Sequence, residues 1–408
     1  MSLENKKILL IIGGGISAYK SLDLIRLLTK KKCNVKVVLT KSGKKFVTPL
    51  SISALSKNKV FEETFDENNR GKIDHISLSR WADLVLILPA TANLISKLSK
   101  GAANDLASTI VLASNKEIFL VPAMNVRMWL HKATQANLEN LIRFGYKFIG
   151  PEDGDMACGE YGKGKMSSPR KILSFLDRFF EKKDLLKRKK IRAIVTTGPT
   201  KEYMDPVRYI SNESSGKQGY EIALELSRLG VKTTLVSGPT KIIYDNDVKV
   251  KRVVSADEMF RAVKKMLPTH IAVCAAAVSD FKPFLIKKNK IKKDEDIKDI
   301  KIEKNTDILS FLGKNNRYRP KLLVGFSAET ENLIKNSTKK LHQKFCDIII
   351  ANDVSKKDVG FNSEFNEVSI IEKNGKIQKI KKNPKKFIAA IIAKKIVDTF
   401  LLNEKSIN

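Results

Sequence analysis

The stretch Pro122-Ala-Met-Asn-Val-Arg-Met-Trp129 is the most informative segment for the fold of the first half of the chain. It follows a short apolar run, residues 118–121, which has the length and composition of a buried strand ended by proline. In an open parallel sheet, ligands bind just beyond the carboxyl ends of strands, so Met124 and Asn125 lie where chemistry is expected. Taken alone, the segment is more simply explained as a strand-to-helix turn in which Asn125 caps the helix.

The remaining pattern around this strand is typical of a doubly wound sheet. Strands are predicted at residues 7–12, 35–39 and 84–88, and amphipathic helical stretches lie between them. The pattern restarts in the second half, where strands are predicted at residues 191–197, 233–236, 271–275, 322–326 and 347–350. The charge-rich stretch 181–190 separates the two halves. We therefore expect an α/β fold with two doubly wound parallel-sheet (Rossmann-like) domains in tandem, residues 1–185 and 191–408.

Composition narrows the class of protein. The chain has 408 residues, of which 42% are hydrophobic, and no apolar run is long enough to span a bilayer. Four cysteines lie far apart without a C-x-x-C pair, which argues against zinc and disulfide frameworks. Residues 6–12 begin like a signal peptide, but the apolar part is too short and leads into a glycine-rich turn. We expect a cytoplasmic protein.

The formal net charge of +32 has two interpretations. One is nucleic-acid binding through a basic surface. The other is a lysine-rich composition combined with small anionic substrates. Basic residues are spread along the chain and no nucleic-acid-binding motif is present, so the second interpretation is favoured.

The first turn predicts a mononucleotide site. Gly13 to Ala18 follow a strand and open a helix in a G-x-G-x-x-A pattern, which places a phosphate at a helix N-terminus. Binding of NAD would also require an acidic residue at the end of the second strand, and that strand ends in Thr40 and Lys41. A hydroxyl and an amine suit a phosphate better than a ribose, so FMN is the better candidate.

Two further segments stand out. Cys158 lies in residues 152–166, a span with four glycines that predicts a mobile surface loop, an unusual place for a structural thiol. In the second half, Ser214-Ser-Gly-Lys217 suggests a phosphate-binding P-loop. That motif would need glycine at 211 and a hydroxyl at 218, where the chain has Ser211 and Gln218, so a P-loop ATPase is excluded.

Several motifs together carry a family resemblance. They are Ala18-Tyr-Lys20, His75, Pro89-Ala-Thr-Ala-Asn93, the Pro122 stretch through Met128, and Met156-Ala-Cys-Gly159. In order and spacing they resemble the flavin-containing cysteine decarboxylases. In the second half, similar segments are 205–212, 275–280, 290–293, 325–330 and 351–354. The whole is similar to the bacterial bifunctional phosphopantothenoylcysteine decarboxylase/phosphopantothenate–cysteine ligases of coenzyme A synthesis.

For the first half, the resemblance implies an FMN-dependent decarboxylase. The thiol carbon of the substrate is oxidised by hydride transfer to FMN before carbon dioxide leaves. The resemblance makes His75 an acid/base residue, gives Asn125 the substrate carboxylate, and makes Cys158 the proton donor when hydride returns. It also implies the FMN contacts Gly14, Gly15, Ser17, Thr40, Thr91, Asn93, Ser108 and Met124.

For the second half, the resemblance implies a CTP-dependent ligase that forms an acyl-cytidylate and then couples it to cysteine. Lys290 is expected to reach the nucleotide as part of a lid, and Asn212 to hold the cytidylate with Arg208 nearby. Asp280 is expected to bind the nucleotide or Mg²⁺. The remaining implied nucleotide contacts are Ala275, Ala276, Asn305, Thr306, Asp307, Ile308, Phe326, Lys340 and Lys344.

The chain departs from the family pattern at three positions. Gly13 stands where Ser or Thr is usual, Ser17 where Ala is common, and Thr306 where proline is common. Other interpretations remain open: a flavin-binding regulatory protein and a basic nucleic-acid-binding protein. The complete set of His75, Asn125 and Cys158 argues against a pure binding protein. The resemblance also implies a homo-oligomer that takes small-molecule substrates.

Overall fold

The computed structural model describes residues 2–63, 74–292, 300–315, 317–355 and 363–406. The chain divides into two compact units, Met1–Asp184 and Leu185–Asn408. The charged stretch 181–190 is not an irregular linker, because the helix Pro169–Arg188 runs through most of it. Its Glu, Lys and Leu residues are good helix formers, and a high charge does not prevent a helix from continuing.

The first unit contains eight strands and eight α-helices among its described residues. The strands are β1 Lys7–Ile12, β2 Asn34–Leu39, β3 Val60–Phe61, β4 Leu84–Ala90, β5 Glu117–Pro122, β6 Lys147–Phe148, β7 Glu152–Asp155 and β8 Tyr161–Lys165. The helices are α1 Lys20–Lys30, α2 Pro49–Ser56, α3 Asp74–Trp81, α4 Ala92–Ser99, α5 Leu106–Ala113, α6 Val126–Leu130, α7 Lys132–Arg143 and α8 Pro169–Arg188. Short 3₁₀ helices occur at Ile16–Tyr19 and Gly43–Lys45.

The main sheet of this unit has the strand order β3-β2-β1-β4-β5-β6, and every pairing in it is parallel. Successive residues of β1 enter different cores: Leu9 and Ile11 pack on one face, Leu10 and Ile12 on the other. A sheet covered on both faces explains why β1 is apolar throughout rather than alternating. The predicted doubly wound fold is confirmed, and the strand order reverses between β1 and β4, where such folds bind ligands.

The segment 152–166 was expected to be a mobile loop, and the structure has a β-hairpin there instead of an irregular loop. Strands β7 and β8 form an antiparallel hairpin with Cys158 at its tip. Its glycines accommodate close contacts with a neighbouring segment, described below, so they need not indicate mobility.

The second unit contains twelve strands and five helices in the described part of the chain. The strands are β9 Arg192–Thr197, β10 Lys201–Tyr203, β11 Tyr209–Ser211, β12 Lys232–Ser237, β13 Lys249–Arg252, β14 Ile271–Cys274, β15 Phe281–Pro283, β16 Ile302–Lys304, β17 Leu322–Glu329, β18 Ile348–Asp353, β19 Phe365–Glu372 and β20 Ile377–Pro384. The helices are α9 Lys217–Arg228, α10 Ala256–Lys265, α11 Ile308–Lys314, α12 Leu333–Gln343 and α13 Lys385–Ser406.

The second sheet repeats the topology of the first and extends it. Its order is β13-β12-β9-β14-β17-β18-β19-β20, parallel through β18. Strands β19 and β20 are antiparallel and were not predicted, so the sheet is mixed rather than wholly parallel. Only Ile380 of β20 is buried, and an edge strand with a single buried side chain carries almost no hydrophobic pattern. Among the described residues, no helix has the length and apolar character needed to cross a membrane.

Two candidate active sites

The turn after β1 forms a narrow cradle at the carboxyl end of the first sheet. A Cβ atom on Gly13 would lie 2.2 Å from the carbonyl oxygen of Pro89, and one on Gly14 would lie 2.4 Å from the Cβ of Ser42. The backbone of this turn is therefore in direct contact with the ends of its neighbours, which only glycine allows. A hydroxyl residue at 13, as the family usually carries, would require the backbone to move.

Two of the hydroxyl groups predicted to contact FMN, those of Thr40 and Thr91, form hydrogen bonds with backbone groups of the protein. The Thr40 hydroxyl donates to the Ile12 carbonyl at 2.9 Å and accepts from the N–H of Gly43 at 3.1 Å. The Thr91 hydroxyl accepts from the N–H of Leu94 at 3.4 Å and caps α4. These bonds fix the shape of the cradle, and a hydroxyl oxygen retains capacity for a further contact.

Ser108 is the most enclosed of the predicted FMN contacts. It is fully buried and forms a capping box with Asp105, with 2.6 Å between the Ser108 hydroxyl and the Asp105 carboxylate. By contrast, Gly14, Gly15 and Ser17 are half-buried, and Asn93 is exposed at the start of α4. The contacts of these residues with a cofactor stay predictions, and an accessible glycine backbone at the β1/β4 reversal fits a flavin phosphate.

The oxygen and the nitrogen of the Asn125 side-chain amide have different hydrogen-bonding roles. Its side-chain oxygen accepts from the N–H of Met128 at 2.8 Å and caps α6, as the simpler interpretation of this segment requires. No hydrogen bond from its side-chain nitrogen is recorded among the described residues. An amide that caps through oxygen still has two N–H donors for a carboxylate, so the structural and catalytic interpretations are compatible.

The hairpin carrying Cys158 is joined to the Asn125 segment. The N–H of Met124 donates to the carbonyl of Gly164 at 3.1 Å. A Cβ on Gly164 would lie 2.3 Å from the Met124 carbonyl oxygen, and one on Gly162 would lie 3.0 Å from Val126 Cγ2. The glycines of β8 thus permit close packing on the residues that flank Asn125.

Glu160 adds a second connection, which the sequence analysis missed. Its carboxylate lies 3.9 Å from the Cys158 sulfur and 3.5 Å from Arg127 Nε. Arg127 is on α6, two residues after Asn125. The sequence shows that Glu160 follows Cys158 by two residues, but the pairing of Glu160 with Arg127 depends on the hairpin geometry.

Cys158 differs from the other three cysteines. It is exposed, whereas Cys33 and Cys346 are buried and Cys274 is partly buried. Burial raises the pKa of Cys33 and of Cys346 to about 12 and also raises the pKa of Cys274. Thiols held in the protonated form are poor nucleophiles and poor participants in proton exchange near neutral pH. Cys158 is the cysteine suited to chemistry.

His75 lies near the start of α3 and is half-buried. Its Nδ1 atom is buried and has no hydrogen-bond partner among the described residues. An unsatisfied buried nitrogen is uncommon and suits a residue that bonds a substrate. Within the described ranges, no hydrogen bond joins His75 to Asn125 or Cys158. The contacts join the segments that carry Asn125 and Cys158, and they do not include His75.

In the second unit, the predicted residues gather at the carboxyl ends of β9 and β14. The N–H of Ala276 donates to the Thr196 hydroxyl at 3.3 Å, and that of Ser279 donates to the Thr200 hydroxyl at 3.0 Å. The Asn212 side-chain nitrogen donates to the carbonyl of Val278 at 2.9 Å. Asn212 is exposed and lies against the segment 275–280, of which Ala275 and Ala276 are half-buried.

Asp280 and Asn305 lie side by side. The N–H of Asn305 donates to the Asp280 carbonyl at 2.9 Å, and its side-chain nitrogen donates to the Ser279 carbonyl at 2.9 Å. The Asn305 side-chain oxygen is buried and has no partner in the described part of the chain. Asp280 itself is exposed.

Asp307 and Lys344 form a pair close to Asn305. Asp307 caps α11 through the N–H of Ser310 at 2.8 Å and accepts from Lys344 Nζ at 2.6 Å. Burial raises the pKa of Asp307, but the bonds from Lys344 and Ser310 outweigh it and hold the pKa below its ordinary value. Lys340 also lowers this pKa through its charge. The other predicted contacts differ in exposure: Thr306 is exposed, Ile308 buried and Phe326 half-buried.

Lys290 lies on a segment that is hydrogen-bonded to another part of the second unit. Its neighbour Ile291 is hydrogen-bonded to Asp205 and Arg208, so the predicted lid is attached to the turn 204–208. Lys293 lies outside the described residues. Asp205 was not predicted as a site residue; the signal was its position three residues before Arg208 in a turn.

A metal site made only of protein groups is not present in the described ranges, since no cluster of three or more His, Cys, Asp or Glu residues occurs there. Mg²⁺ commonly uses one or two carboxylates together with substrate phosphates, so its binding by Asp280 stays a prediction. The exposed carboxylate of Asp280 could provide such a ligand.

Comparison with known proteins gives matches over both units. The Flavoprotein family model matches residues 1–181, and the model of the DNA/pantothenate metabolism flavoprotein C-terminal domain matches residues 188–400. The coenzyme A biosynthesis bifunctional protein CoaBC of Haemophilus influenzae is 42% identical over 401 residues, which is 98% of this chain and 99% of that protein. The protein of that name from Bacillus subtilis is 38% identical over 375 residues, 91% of this chain and 92% of its own length.

Two solved structures each match about half of this chain. One is the C-terminal domain of a coenzyme A biosynthesis bifunctional protein, 35% identical, with a TM-score of 0.43, covering 51% of this chain and 95% of that one. Another is a PPC decarboxylase variant complexed with pantothenoylaminoethenethiol. It is 31% identical, has a TM-score of 0.40, and covers 44% of this chain and 100% of that one.

Family membership rests on the two family models and the near full-length relatives. On that basis, the chain belongs to the family of coenzyme A biosynthesis bifunctional proteins.

Proposed function

We propose that residues 191–408 couple cysteine to 4′-phosphopantothenate with CTP, and that residues 1–185 decarboxylate the product to 4′-phosphopantetheine with FMN. The observation that carries the proposal is the contact between the Cys158 hairpin and the Asn125 segment through Met124 and Gly164. The contact joins the hairpin that carries Cys158 to the segment that carries Asn125, beside a sheet whose topology suits a mononucleotide, and this supports a shared site.

In the decarboxylase half, bound FMN would supply a hydride acceptor, so that carbon dioxide does not leave an unstabilised carbanion. The N–H groups of Asn125 would hold the substrate carboxylate until it departs. His75 would exchange a proton through its unsatisfied Nδ1. Cys158 would donate a proton to the decarboxylated intermediate, which would become the product when it regains the hydride, and the exposure of Cys158 on the hairpin tip supports that role.

In the ligase half, the substrate carboxylate would attack the α-phosphate of CTP and release pyrophosphate, after which the cysteine amine would displace CMP. Lys290 would offset the charge that develops on phosphate, and Asp280 would bind Mg²⁺ together with the triphosphate. Asn212 would hold the acyl-cytidylate beside the segment 275–280. The paired Lys344 and the nearby Lys340 would contact the nucleotide.

The chain would act as a cytoplasmic homo-oligomer on small molecules. Exposed apolar side chains on the first unit, among them Ile16, Tyr19 and Leu50, support self-association. The high positive charge would attract anionic substrates rather than nucleic acid.

The experiment is decarboxylation of supplied 4′-phosphopantothenoylcysteine by the purified full chain, with the visible spectrum recorded before and after heat release of the cofactor. We expect a flavin spectrum, FMN in the supernatant, and formation of 4′-phosphopantetheine. A colourless folded protein without turnover would refute the proposal. A yellow protein that binds the substrate without converting it would instead support the flavin-binding regulatory alternative.

A further inference from the structure

Asp205 is fully buried, and its two carboxylate oxygens accept hydrogen bonds from different groups. Its Oδ1 atom accepts from the backbone N–H groups of Val207 and Arg208, both at 2.7 Å. Its Oδ2 atom accepts from Arg208 Nη1 at 3.0 Å and from the backbone N–H of Ile291 at 3.1 Å. The first oxygen closes a local turn, and the second binds a residue distant in sequence.

The guanidinium of Arg208 completes the attachment. Besides its bond to Asp205, Arg208 Nη1 donates to the carbonyl of Ile291 at 3.0 Å. Both backbone groups of Ile291 are therefore held by a single acid–base pair. A second bond, from the N–H of Lys287 to the carbonyl of Met204 at 2.9 Å, holds the other end of the segment 287–291.

We propose that Asp205 is a positioning residue of the ligase: through the N–H of Ile291, it fixes the backbone from which Lys290 reaches the nucleotide. The inference rests on the proposed ligase function. A lysine ammonium is a point charge on a flexible chain, so its position depends largely on where its backbone is held. A displacement of about 1 Å in a positioning element can reduce a rate about a hundredfold.

The charge state of Asp205 supports this role. Burial raises the pKa of the carboxyl, but hydrogen bonds from the N–H groups of Arg208, Val207 and Ile291, together with the Arg208 charge, outweigh it. The pKa therefore lies below its ordinary value, and Asp205 remains ionised near neutral pH. A purely local role would need only Oδ1, because the turn is closed without the bonds that reach Ile291.

The substitution Asp205→Asn separates closure of the turn by Oδ1 from the attachment of Ile291 by Oδ2. An amide has one oxygen, so if that oxygen keeps the turn, its N–H₂ faces the N–H of Ile291 and the guanidinium of Arg208, both donors. The attachment of Ile291 is then lost while the turn is retained. We expect CTP-dependent pyrophosphate release to fall about a hundredfold, with decarboxylation of supplied phosphopantothenoylcysteine unchanged. The matched control is Asp257→Asn, which alters a partly exposed pair with Lys282 (2.7 Å) and should leave both activities within about twofold.

Two further variants address the route and the folding. Ile291→Pro deletes the N–H that Oδ2 accepts without altering Asp205, so it should reproduce the loss even if Asp205→Asn folds poorly. In the Lys290→Gln background, Asp205→Asn should add little, because a residue that acts through Lys290 has nothing left to position.

The full chain is used throughout, with pyrophosphate release as the readout. Normal release by Asp205→Asn or Ile291→Pro, or losses that multiply in the double variant, would overturn the positioning role. Absence of CTP-dependent pyrophosphate release in the unmodified chain would instead overturn the proposed ligase function, so the two failures are distinguishable.

Discussion

Gly164→Ala should uncouple the Cys158 hairpin from Asn125. The new Cβ would lie 2.3 Å from the carbonyl oxygen of Met124 and 2.9 Å from the terminal carbon of Met156. Carbon and carbonyl oxygen normally approach no closer than about 3.3 Å. Because the first of these atoms is backbone, β8 must retreat by roughly 1 Å.

The magnitude follows from the contacts that this retreat breaks. Loss of the hydrogen bond from Met124 to Gly164 (3.1 Å) should cost about 1 kcal/mol. Placing a side chain at the Gly164 φ of +149° should cost about 1–2 kcal/mol more. A shift of about 1 Å between the tip and Asn125 corresponds to about a hundredfold loss in decarboxylase rate.

The assay is turnover of phosphopantothenoylcysteine, with urea unfolding of the same preparation to measure stability. Gly159→Ala is the matched control, because Gly159 also has a positive φ (+81°) but no atom within 4 Å of its Cβ position. It should lose stability and keep decarboxylase activity within a few-fold, as only strain is added. Wild-type turnover by Gly164→Ala, or equal losses in both variants, would refute the reasoning.

Three other predictions follow. Cys158→Ser should oxidise and decarboxylate the substrate but stall with the flavin reduced, so normal release of phosphopantetheine would count against the role of the thiol. Lys290→Gln should reduce pyrophosphate release from CTP about a hundredfold and leave decarboxylation intact; intact CTP turnover would contradict the lysine assignment, and a joint fall would contradict independent units. Burial lowers the pKa of Lys385 from 10.5 to about 8, so between those values the unfolded chain binds a proton that the folded chain does not. Stability should therefore gain roughly 3 kcal/mol from this group as pH rises from about 8 to 10.5, and Lys385→Met, compared with wild type by urea unfolding, should lack that gain; parallel pH profiles would exclude it.

Much of the fold could be predicted because buried parallel strands carry a strong local signal. The strand 7–12 has the predicted bounds, and Asn125 caps its helix as its residue type favours. Strand β20 could not be predicted, since seven of its eight positions are polar, exposed or half-buried and its place is set by pairing with β19. The β7–β8 hairpin was misread because its glycines serve contact with Met124 and Val126, which no local pattern records.

The sequence indicated candidate residues for the site but not the contacts that surround them. The sequence indicated Asn125 and Cys158, and the structure joins their segments through β8. The sequence did not indicate that Asp205 holds Ile291, because Ile291 lies 86 residues away and contributes a backbone N–H. A backbone donor has no signature in residue type, so such attachments emerge only from tertiary structure.

The most direct measurement is product analysis by mass spectrometry after the purified full chain is incubated with 4′-phosphopantothenate, cysteine, CTP and Mg²⁺. The bifunctional account predicts 4′-phosphopantetheine, pyrophosphate and CMP in equal amounts, with none formed when CTP is omitted. Recovery of unchanged 4′-phosphopantothenate from an FMN-loaded, folded preparation would contradict it.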